Sequence, residues 1–299
     1  MKCLIALSVL AMSTLVYAED KHQYSFVTID GNKLAYSCSG KGNKTVLLIE
    51  GMGLDAHKSF KNIYHNYQAD GYQICMYDRA GVGASSFAKP RVRSVKELAD
   101  ELNAVVEANK WNNLILVAHS FGGFVARAYT HQFPAKVDGI LFADSAHESW
   151  YHDMKLSMSV AGWKTMESIV EWEKLHHSHE DSVEAVMAAP SFTVPDKLPI
   201  TVMSRGLPHN TLRQTKMSYS DVDAYNAAWN SSQFKLLKLS TNTEYVTMHY
   251  SSHFVDENDP WLVLDELYKL QQRVDAFDLI GSTLQLRRPY ASSPSQSLR

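Results

Sequence analysis

The sequence predicts an α/β protein with a mostly parallel central sheet. Short apolar runs rich in β-branched residues alternate with stretches in which apolar residues recur at helical spacing. Three of these runs, KTVLLIEG, NLILVAH and VDGILFAD, are apolar almost without a break, which is typical of strands buried on both faces of a parallel sheet. The 299 residues, of which 45% are hydrophobic and 20% charged, suffice for one large domain or two modest ones.

The first two strands form an N-terminal hairpin. The runs YSFVTI and KLAYSC flank the tight turn made by Asp30, Gly31 and Asn32, residue types that accept the backbone angles of a short hairpin loop. The third strand, KTVLLIEG, leads through a helical stretch over 56–69 to the fourth strand, YQICMYD.

A capping box begins the next helix. The Ser94 hydroxyl and the Glu97 carboxylate have the spacing at which each satisfies a backbone N–H of the other residue. The remaining predicted elements, in order, are the strand NLILVAH, a helix over 121–132, the strand VDGILFAD, the strand PITVMS, a helix over 223–237, the strand TEYVTMHY and a helix that begins near Asp259.

Residues 147–198 interrupt this alternation. They are helical in character and contain three tryptophans and several methionines, which predicts a helical cap inserted after the sixth strand. A local helical excursion without a role in the site is the alternative. The predicted core is therefore 19–146 together with 199–278, and the Ser/Pro-rich residues 279–299 are predicted to be a disordered tail.

The N-terminus resembles an export signal. Lys2 precedes a short apolar stretch, and Val16 and Ala18 fit the small-residue rule of signal peptidase. We expect residues 1–18 to be cleaved and the protein to be secreted or periplasmic. The alternative, a membrane anchor, is disfavoured because the apolar stretch is short and no basic stop-transfer segment follows, so we expect no stable membrane insertion after cleavage.

Charge and histidine content exclude some partners. The formal net charge is -3 and there is no long basic run, so nucleic acid is not an expected partner. The run KLHHSHED could bind a metal through His176, His177 and His179 together with Glu180 and Asp181, but such runs are more typical of a solvated surface. We therefore predict no metal and no organic cofactor, and the sequence predicts no particular oligomeric state.

The stretch VAHSFGGFVAR contains the candidate nucleophile. Ser120 follows a buried strand, precedes an apolar helix, and lies between the small residues Ala118 and Gly122, a variant of the G-x-S-x-G pattern. A serine on a sharp, strained strand-to-helix turn leaves no space for bulky neighbours two residues away. The alternative is an ordinary turn residue or helix N-cap.

A histidine must take the proton from Ser120. His253, in SSHFVDENDP, is the candidate because it follows the last strand and has small neighbours that suit a loop bending back over the sheet. His249 lies inside the predicted strand TEYVTMHY and is expected to pack there.

The acid that orients His253 is predicted to be Asp144. The loop after PITVMS, the commonest place for this acid, contains no carboxylate. Asp144 ends the preceding strand, from which a carboxylate can reach the same histidine. The alternative is Asp221 or Asp223, which also fit the N-terminal cap of the next helix.

Two loops complete the candidate site. In LLIEGMG, glycines flank Met52, so the N–H groups of Met52 and Phe121 could stabilise a developing oxyanion. The loop YDRAGVGAS is similar to the D-x-R-G-x-G-x-S loop that lies beside the site in many enzymes whose nucleophile is a serine on a strand-to-helix turn.

Together these features resemble the α/β-hydrolase superfamily, and the resemblance covers roughly residues 24–273. It implies an eight-stranded, mostly parallel sheet flanked by helices, with the triad acid and a helical cap both following the sixth strand. Two residues depart from the family pattern: Ala118 replaces the first elbow glycine, and Glu50 replaces the usual histidine of the oxyanion motif. Glu50 could slow acyl transfer by its negative charge unless it is paired or turned away.

The same fold places the second and fourth strands side by side. Cys38 and Cys75 lie on these two strands, so either a disulfide or two buried thiols is consistent with the resemblance.

The sequence therefore predicts a serine hydrolase that cleaves an ester-like acyl compound through Ser120, His253 and Asp144. Lactonase, peptidase, carbon–carbon hydrolase and haloperoxidase activities would use the same triad. A catalytically weak ligand-binding protein is a further alternative, motivated by Glu50. The aromatic and Met-rich cap favours an apolar small-molecule substrate.

Overall fold

The computed structural model describes residues 23–286. Eight strands within this range form one sheet, in the order β1-β2-β4-β3-β5-β6-β7-β8. The predicted signal peptide, residues 1–18, and residues 287–299 of the predicted tail lie outside the described residues. The strands are β1 (Ser25–Ile29), β2 (Asn32–Gly40), β3 (Gly42–Ile49), β4 (Gly71–Tyr77), β5 (Leu114–Ser120), β6 (Val137–Ser145), β7 (Ile200–Arg205) and β8 (Thr243–Met248).

The sheet is mostly parallel, as predicted. The hairpin strands β1 and β2 are antiparallel, and β2 is antiparallel to β4, whereas all the later strand pairs are parallel. Cys38 on β2 lies opposite Cys75 on β4, and the two form a disulfide across the strands. Of the two alternatives left open by the sequence, the structure therefore has the disulfide.

Nine α-helices connect or follow the strands in the described chain. Ser94 and Glu97 form the capping box predicted for α2. The helices are α1 (Ala56–Asn66), α2 (Val95–Asn109), α3 (Gly122–Gln132), α4 (Ser149–Ser157), α5 (Val160–Trp172), α6 (Ser182–Ala188), α7 (Tyr219–Leu236), α8 (Val255–Asn258) and α9 (Pro260–Leu286).

Two hydrophobic cores cover the two faces of the sheet. Because successive side chains of a strand point to opposite faces, Leu47 and Ile49 of β3 join one core, whereas Val46 and Leu48 join the other. The first core packs against α2, α3, α7 and the helices between β6 and β7, and the second packs against α1 and α9. The central parallel strands β3, β5 and β6 are thus buried on both sides over most of their length, which explains their nearly unbroken apolar sequences, whereas the edge strand β8 is only half-buried.

Residues 147–198 contain α4, α5 and α6, with a π-helical turn over Glu173–His177. We call this segment the insertion. It lies in the chain between β6 and β7, as predicted, and its buried tryptophans and methionines join the core that contains α2 and α3. Whether it acts as a cap over a substrate remains a prediction.

Two predicted boundaries were wrong, and one short helix was not predicted. Helix α7 begins at Tyr219 rather than at 223, because the Ser218 hydroxyl caps it by accepting from the Asp221 N–H. Helix α9 continues to Leu286, so the tail predicted to start at 279 is helical at its beginning. The short helix α8 was not predicted, since its four residues are too few to carry a periodic pattern.

Candidate active site

The candidate catalytic residues lie at one edge of the sheet. Ser120 is the last residue of β5, Asp144 is next to last in β6, and His253 follows β8. Because the carboxyl ends of parallel strands meet at the same edge, side chains far apart in sequence come together there.

The backbone at Ser120 has the strained conformation of a sharp turn. Its φ of 53° lies in the left-handed region, which non-glycine residues seldom adopt. A Cβ on Gly122 would lie 2.4 Å from the Ile49 carbonyl oxygen, and one on Gly123 would lie 2.8 Å from the Ser145 Cβ. Glycine is therefore required at both positions, because the Ile49 backbone and the Ser145 side chain leave no space for a Cβ.

Ser120, His253 and Asp144 form a continuous hydrogen-bonded chain. The His253 Nε2 atom lies 3.0 Å from Ser120 Oγ, and its Nδ1 atom lies 2.6 Å from Asp144 Oδ2. A carboxylate can only accept, so His253 Nδ1–H is the donor to Asp144. In the neutral ring Nε2 is then an acceptor for the Ser120 hydroxyl, which is the arrangement needed to remove the hydroxyl proton.

Asp144 is fully buried and has four donors. Besides His253, the Arg205 guanidinium donates to Oδ2 at 2.8 Å, and the Arg205 backbone N–H and Trp229 Nε1–H donate to Oδ1. Burial by itself raises the pKa of Asp144, but the charge of Arg205 and the bond from His253 outweigh it and hold the pKa well below its usual range. The carboxylate is therefore ionised at neutral pH.

The alternative acids lie elsewhere. Asp221 accepts hydrogen bonds from the backbone N–H and the hydroxyl of Ser159, which ties α7 to the insertion. Asp223 is exposed and lies 3.7 Å from Arg213. Of the two carboxylate choices that the sequence left open, only Asp144 contacts His253.

Two further histidines flank His253. The ring centroids of His119 and His209 lie 4.7 and 4.8 Å from that of His253. Burial lowers the pKa of each to about 3, so both rings are neutral at physiological pH. The buried His119 ring is hydrogen-bonded: its Nε2–H donates to the His253 carbonyl oxygen at 2.7 Å.

Sequence reasoning missed Arg205, Trp229 and His209. Arg205 ends a strand whose other residues are mostly apolar, and His209 stands in the loop that lacks a carboxylate. The sequence shows both as polar residues at or just after the end of a mostly apolar strand, where functional side chains are expected. Their pairing with Asp144 and His253 was not visible, because it depends on the relative positions of three strands.

The loop over residues 50–53 packs directly against the serine. A Cβ on Gly51 would lie 3.2 Å from Ser120 Cβ, so this loop passes as close to Ser120 as glycine allows. Neither Met52 N–H nor Phe121 N–H is a donor in the hydrogen bonds that the described residues make outside their helices and strands. The two N–H groups proposed for an oxyanion are thus not committed to those bonds.

Glu50 is paired rather than aimed freely at the site. Its side chain is completely buried, with Oε1 2.9 Å from Arg79 Nη1, although neither carboxylate oxygen accepts a hydrogen bond of good geometry. Burial raises the pKa of Glu50 to about 8, against the lowering effect of Arg79. Glu50 is therefore mainly protonated at neutral pH. The negative charge that the sequence suggested beside the oxyanion is largely absent at that pH.

The described residues offer neither a cluster of metal ligands nor a membrane-spanning helix. The part of the chain that the structure describes has no group of three or more His, Cys, Asp or Glu side chains placed to hold a metal ion. None of its helices is both long and apolar enough to cross a bilayer.

Comparison with known proteins supports the fold. A family model described as the alpha/beta hydrolase fold matches residues 44–170. An AB hydrolase superfamily protein of Gibberella zeae is 23% identical over 254 residues, covering 68% of this chain and 79% of the relative. A serine hydrolase-like protein of Homo sapiens is 35% identical over 101 residues, which is 33% of this chain and 49% of that relative.

Solved structures agree in topology. A thermophilic esterase from Thermogutta terrifontis superimposes with a TM-score of 0.56 at 16% identity, covering 85% of this chain and 99% of the esterase. The sheet order, the matched family model and this structural likeness together show that the chain has the α/β-hydrolase fold.

Proposed function

We propose that this protein is a serine hydrolase that cleaves ester-like acyl compounds. The observation that carries the proposal is the uninterrupted chain from Ser120 Oγ through His253 to Asp144, with both links at hydrogen-bond length. The strained backbone at Ser120 supports it, because such a turn exposes the hydroxyl to a substrate above the sheet.

In the proposed mechanism, Ser120 Oγ attacks the acyl carbon while His253 Nε2 takes the hydroxyl proton. The N–H groups of Met52 and Phe121 stabilise the resulting oxyanion. The tetrahedral intermediate collapses and expels the alcohol, which receives the proton from His253. Water then attacks the acyl-enzyme with His253 as the base, which releases the acid and restores Ser120. Asp144 keeps the His253 tautomer and stabilises the imidazolium.

The state of Glu50 supports an enzyme over the ligand-binding alternative. The one reason for suspecting a catalytically weak protein was a negative charge beside the oxyanion. Glu50 is paired with Arg79 and has a pKa of about 8, so this charge is small at neutral pH. A thermophilic esterase is among the solved structures with this fold, so an ester is the first substrate to test.

The proposal extends to substrate and location. The insertion contributes buried aromatic and Met side chains, so we propose that it covers an apolar acyl group as a cap. The Cys38–Cys75 disulfide is the kind of bond that persists in an oxidising compartment, which supports export to the periplasm or the medium.

The test is hydrolysis of p-nitrophenyl esters, from acetate to palmitate, by the wild-type protein and by Ser120→Ala. We expect the substitution to lower turnover on the order of a millionfold, and the preferred chain length to report the size of the acyl site. Labelling by a fluorophosphonate probe should occur in the wild type and not in Ser120→Ala. A mutant that keeps a tenth of the activity would contradict the mechanism.

A further inference from the structure

Three buried ionisable side chains lie at the 50–53 loop. Arg79, Glu50 and Glu180 are each completely inaccessible to solvent. Arg79 Nη1 lies 2.9 Å from Glu50 Oε1, and Arg79 Nε donates to Glu180 Oε1. We call this group the Arg79 cluster. Burying three such groups destabilises a fold unless they are paired and hydrogen-bonded. Here Arg79 contacts both carboxyl groups beside the candidate active site.

The Arg79 cluster holds the backbone of the loop on both sides of Met52. Arg79 donates to the Glu50 carbonyl oxygen at 3.0 Å and to the Gly51 carbonyl oxygen at 2.6 Å. Glu180 Oε2 accepts from the Gly53 N–H at 3.1 Å. The peptide groups before and after Met52 are therefore both tied to buried charges.

The bond to Gly51 fixes the direction of the Met52 N–H. The Gly51 carbonyl and the Met52 N–H belong to the same planar, trans peptide group, in which the two point in opposite directions. When Arg79 holds the carbonyl oxygen, the N–H must point away from Arg79. A charged donor on the carbonyl also polarises the peptide and strengthens its N–H as a donor.

Glu180 reaches this position from the insertion. It lies in a short parallel bridge with Arg93, in which the Arg93 N–H donates to the His179 carbonyl and the Asp181 N–H donates to the Arg93 carbonyl. The Arg93 guanidinium also donates to the Ser178 carbonyl oxygen. The carboxylate is thus carried on a backbone that is fixed to the core.

We propose that Glu180 is a positioning residue for the oxyanion hole. It anchors Arg79 and the Gly53 N–H, and through them it sets the orientation of the peptide that carries the Met52 N–H. The insertion then contributes a positioning residue to the acyl-transfer site, in addition to its proposed role as a cap over the substrate. This inference rests on the proposed function, because only an acyl transfer places an oxyanion at Met52.

The test compares Glu180→Gln with Glu184→Gln. Both substitutions replace one carboxylate of the insertion by an amide of the same shape. Glu184 also contacts the core, where Oε2 accepts from the Val95 N–H at 2.8 Å, but it does not touch the 50–53 loop. We measure kcat and KM on the best p-nitrophenyl ester, together with hydrogen–deuterium exchange of the peptide that spans the loop.

We expect Glu180→Gln to lower kcat by between about tenfold and hundredfold, the range associated with a misplaced transition-state group, and to change KM less than about twofold. Exchange at the loop amides should accelerate. Glu184→Gln should leave kcat, KM and loop exchange near the wild-type values. Unchanged kcat and loop exchange in Glu180→Gln would overturn the proposal, as would a raised KM with unchanged kcat.

Folding and function are separated by two controls. If Glu180→Gln does not fold, Glu180→Asp keeps the charge but shortens the side chain, and it should show the same fall in kcat because one carboxylate can no longer reach both Arg79 and Gly53. An Asp variant with wild-type kcat would overturn the proposal. If the wild type neither hydrolyses esters nor reacts with fluorophosphonate, the proposed function fails, while loop exchange still decides whether Glu180 holds the loop.

Discussion

Arg205 and His253 donate to the same oxygen of Asp144. The Arg205 Nη1 atom lies 2.8 Å and the His253 Nδ1 atom 2.6 Å from Oδ2. The other oxygen is held by the Trp229 indole and by the Arg205 backbone N–H. The carboxylate therefore has a fixed plane and a permanent countercharge. In the proposed mechanism it orients His253 and stabilises its charge without itself taking a proton.

Asp144→Asn is expected to lower kcat by about four orders of magnitude, because an amide can leave His253 in the wrong tautomer. The measurement is ester hydrolysis beside Asp223→Asn, which changes an exposed carboxylate and should leave activity unchanged. Circular dichroism establishes that both variants fold. Full activity in Asp144→Asn with loss of activity in Asp223→Asn would show that Asp144 is not the acid of the triad.

Arg205→Met is expected to destabilise the fold by about 3–5 kcal/mol, because it removes the cation that compensates a buried carboxylate. The measurement is urea unfolding at pH 7, with Arg213→Met as the control. Arg213 belongs to a solvent-exposed pair, so its loss should change the free energy of unfolding by less than about 0.5 kcal/mol. Equal effects of the two substitutions would show that the Arg205–Asp144 pair contributes nothing.

The same pair gives a pH dependence at acid pH. The pKa of Asp144 is lower in the folded protein than in the unfolded chain, so its contribution is present at pH values above the unfolded pKa and is lost as the pH falls toward the folded pKa. In Arg205→Met the folded pKa should rise, and acid unfolding should begin at a higher pH than in the wild type.

Turnover is expected to fall as the pH rises through about 8. Glu50 has a pKa of about 8, so above that pH it adds a negative charge beside the loop whose N–H group meets the oxyanion. Glu50→Gln cannot ionise and should keep its turnover through the same range. A wild-type profile that stays flat from pH 7 to 9.5 would contradict this role for Glu50.

Glu50 also affects stability, with the opposite sign to Asp144. Its folded pKa is raised above the unfolded value, so the folded state holds a proton that the unfolded chain releases between about pH 4.3 and the folded value. Stability from this residue is complete at low pH and is lost across that window, with a slope of at most about 1.4 kcal/mol per pH unit. Glu50→Gln should lack this slope in denaturant titrations.

Removing the Cys38–Cys75 disulfide is expected to lower the free energy of unfolding by about 4 kcal/mol, because it releases a closed loop in the unfolded chain. The two cysteines are 37 positions apart. The measurement is guanidinium unfolding of Cys38→Ala/Cys75→Ala beside the oxidised and the reduced wild type. A reduced wild type as stable as the oxidised protein would contradict the expectation.

The centre of the sheet could be predicted from the sequence because β3, β5 and β6 are buried on both faces over most of their length and therefore have nearly unbroken apolar runs. Strand order brings Ser120, Asp144 and His253 to one edge, so their proximity also followed from the elements. The boundaries of α7 and α9 were less accessible, since a capping serine competes with nearby acidic residues and a helix can continue into a polar tail.

The charged pairs could not be predicted in the same way. Arg205 is 61 positions from Asp144, and Glu180 is 101 positions from Arg79. A single charged residue in a strand or a helical segment usually indicates a solvent-exposed position. Such a residue is buried only because a partner from a distant element pairs with it, and a local sequence pattern does not predict that pair.

The bond from the His119 ring to the His253 carbonyl links the turn that carries the nucleophile to the loop that carries the base. Because His119 adjoins Ser120, a displacement of one segment tends to carry the other with it. Proton transfer depends on the separation of Ser120 Oγ and His253 Nε2, and shared motion leaves that separation nearly constant. The loop that carries His253 is therefore tethered to the end of β5, which keeps the base within reach of the nucleophile.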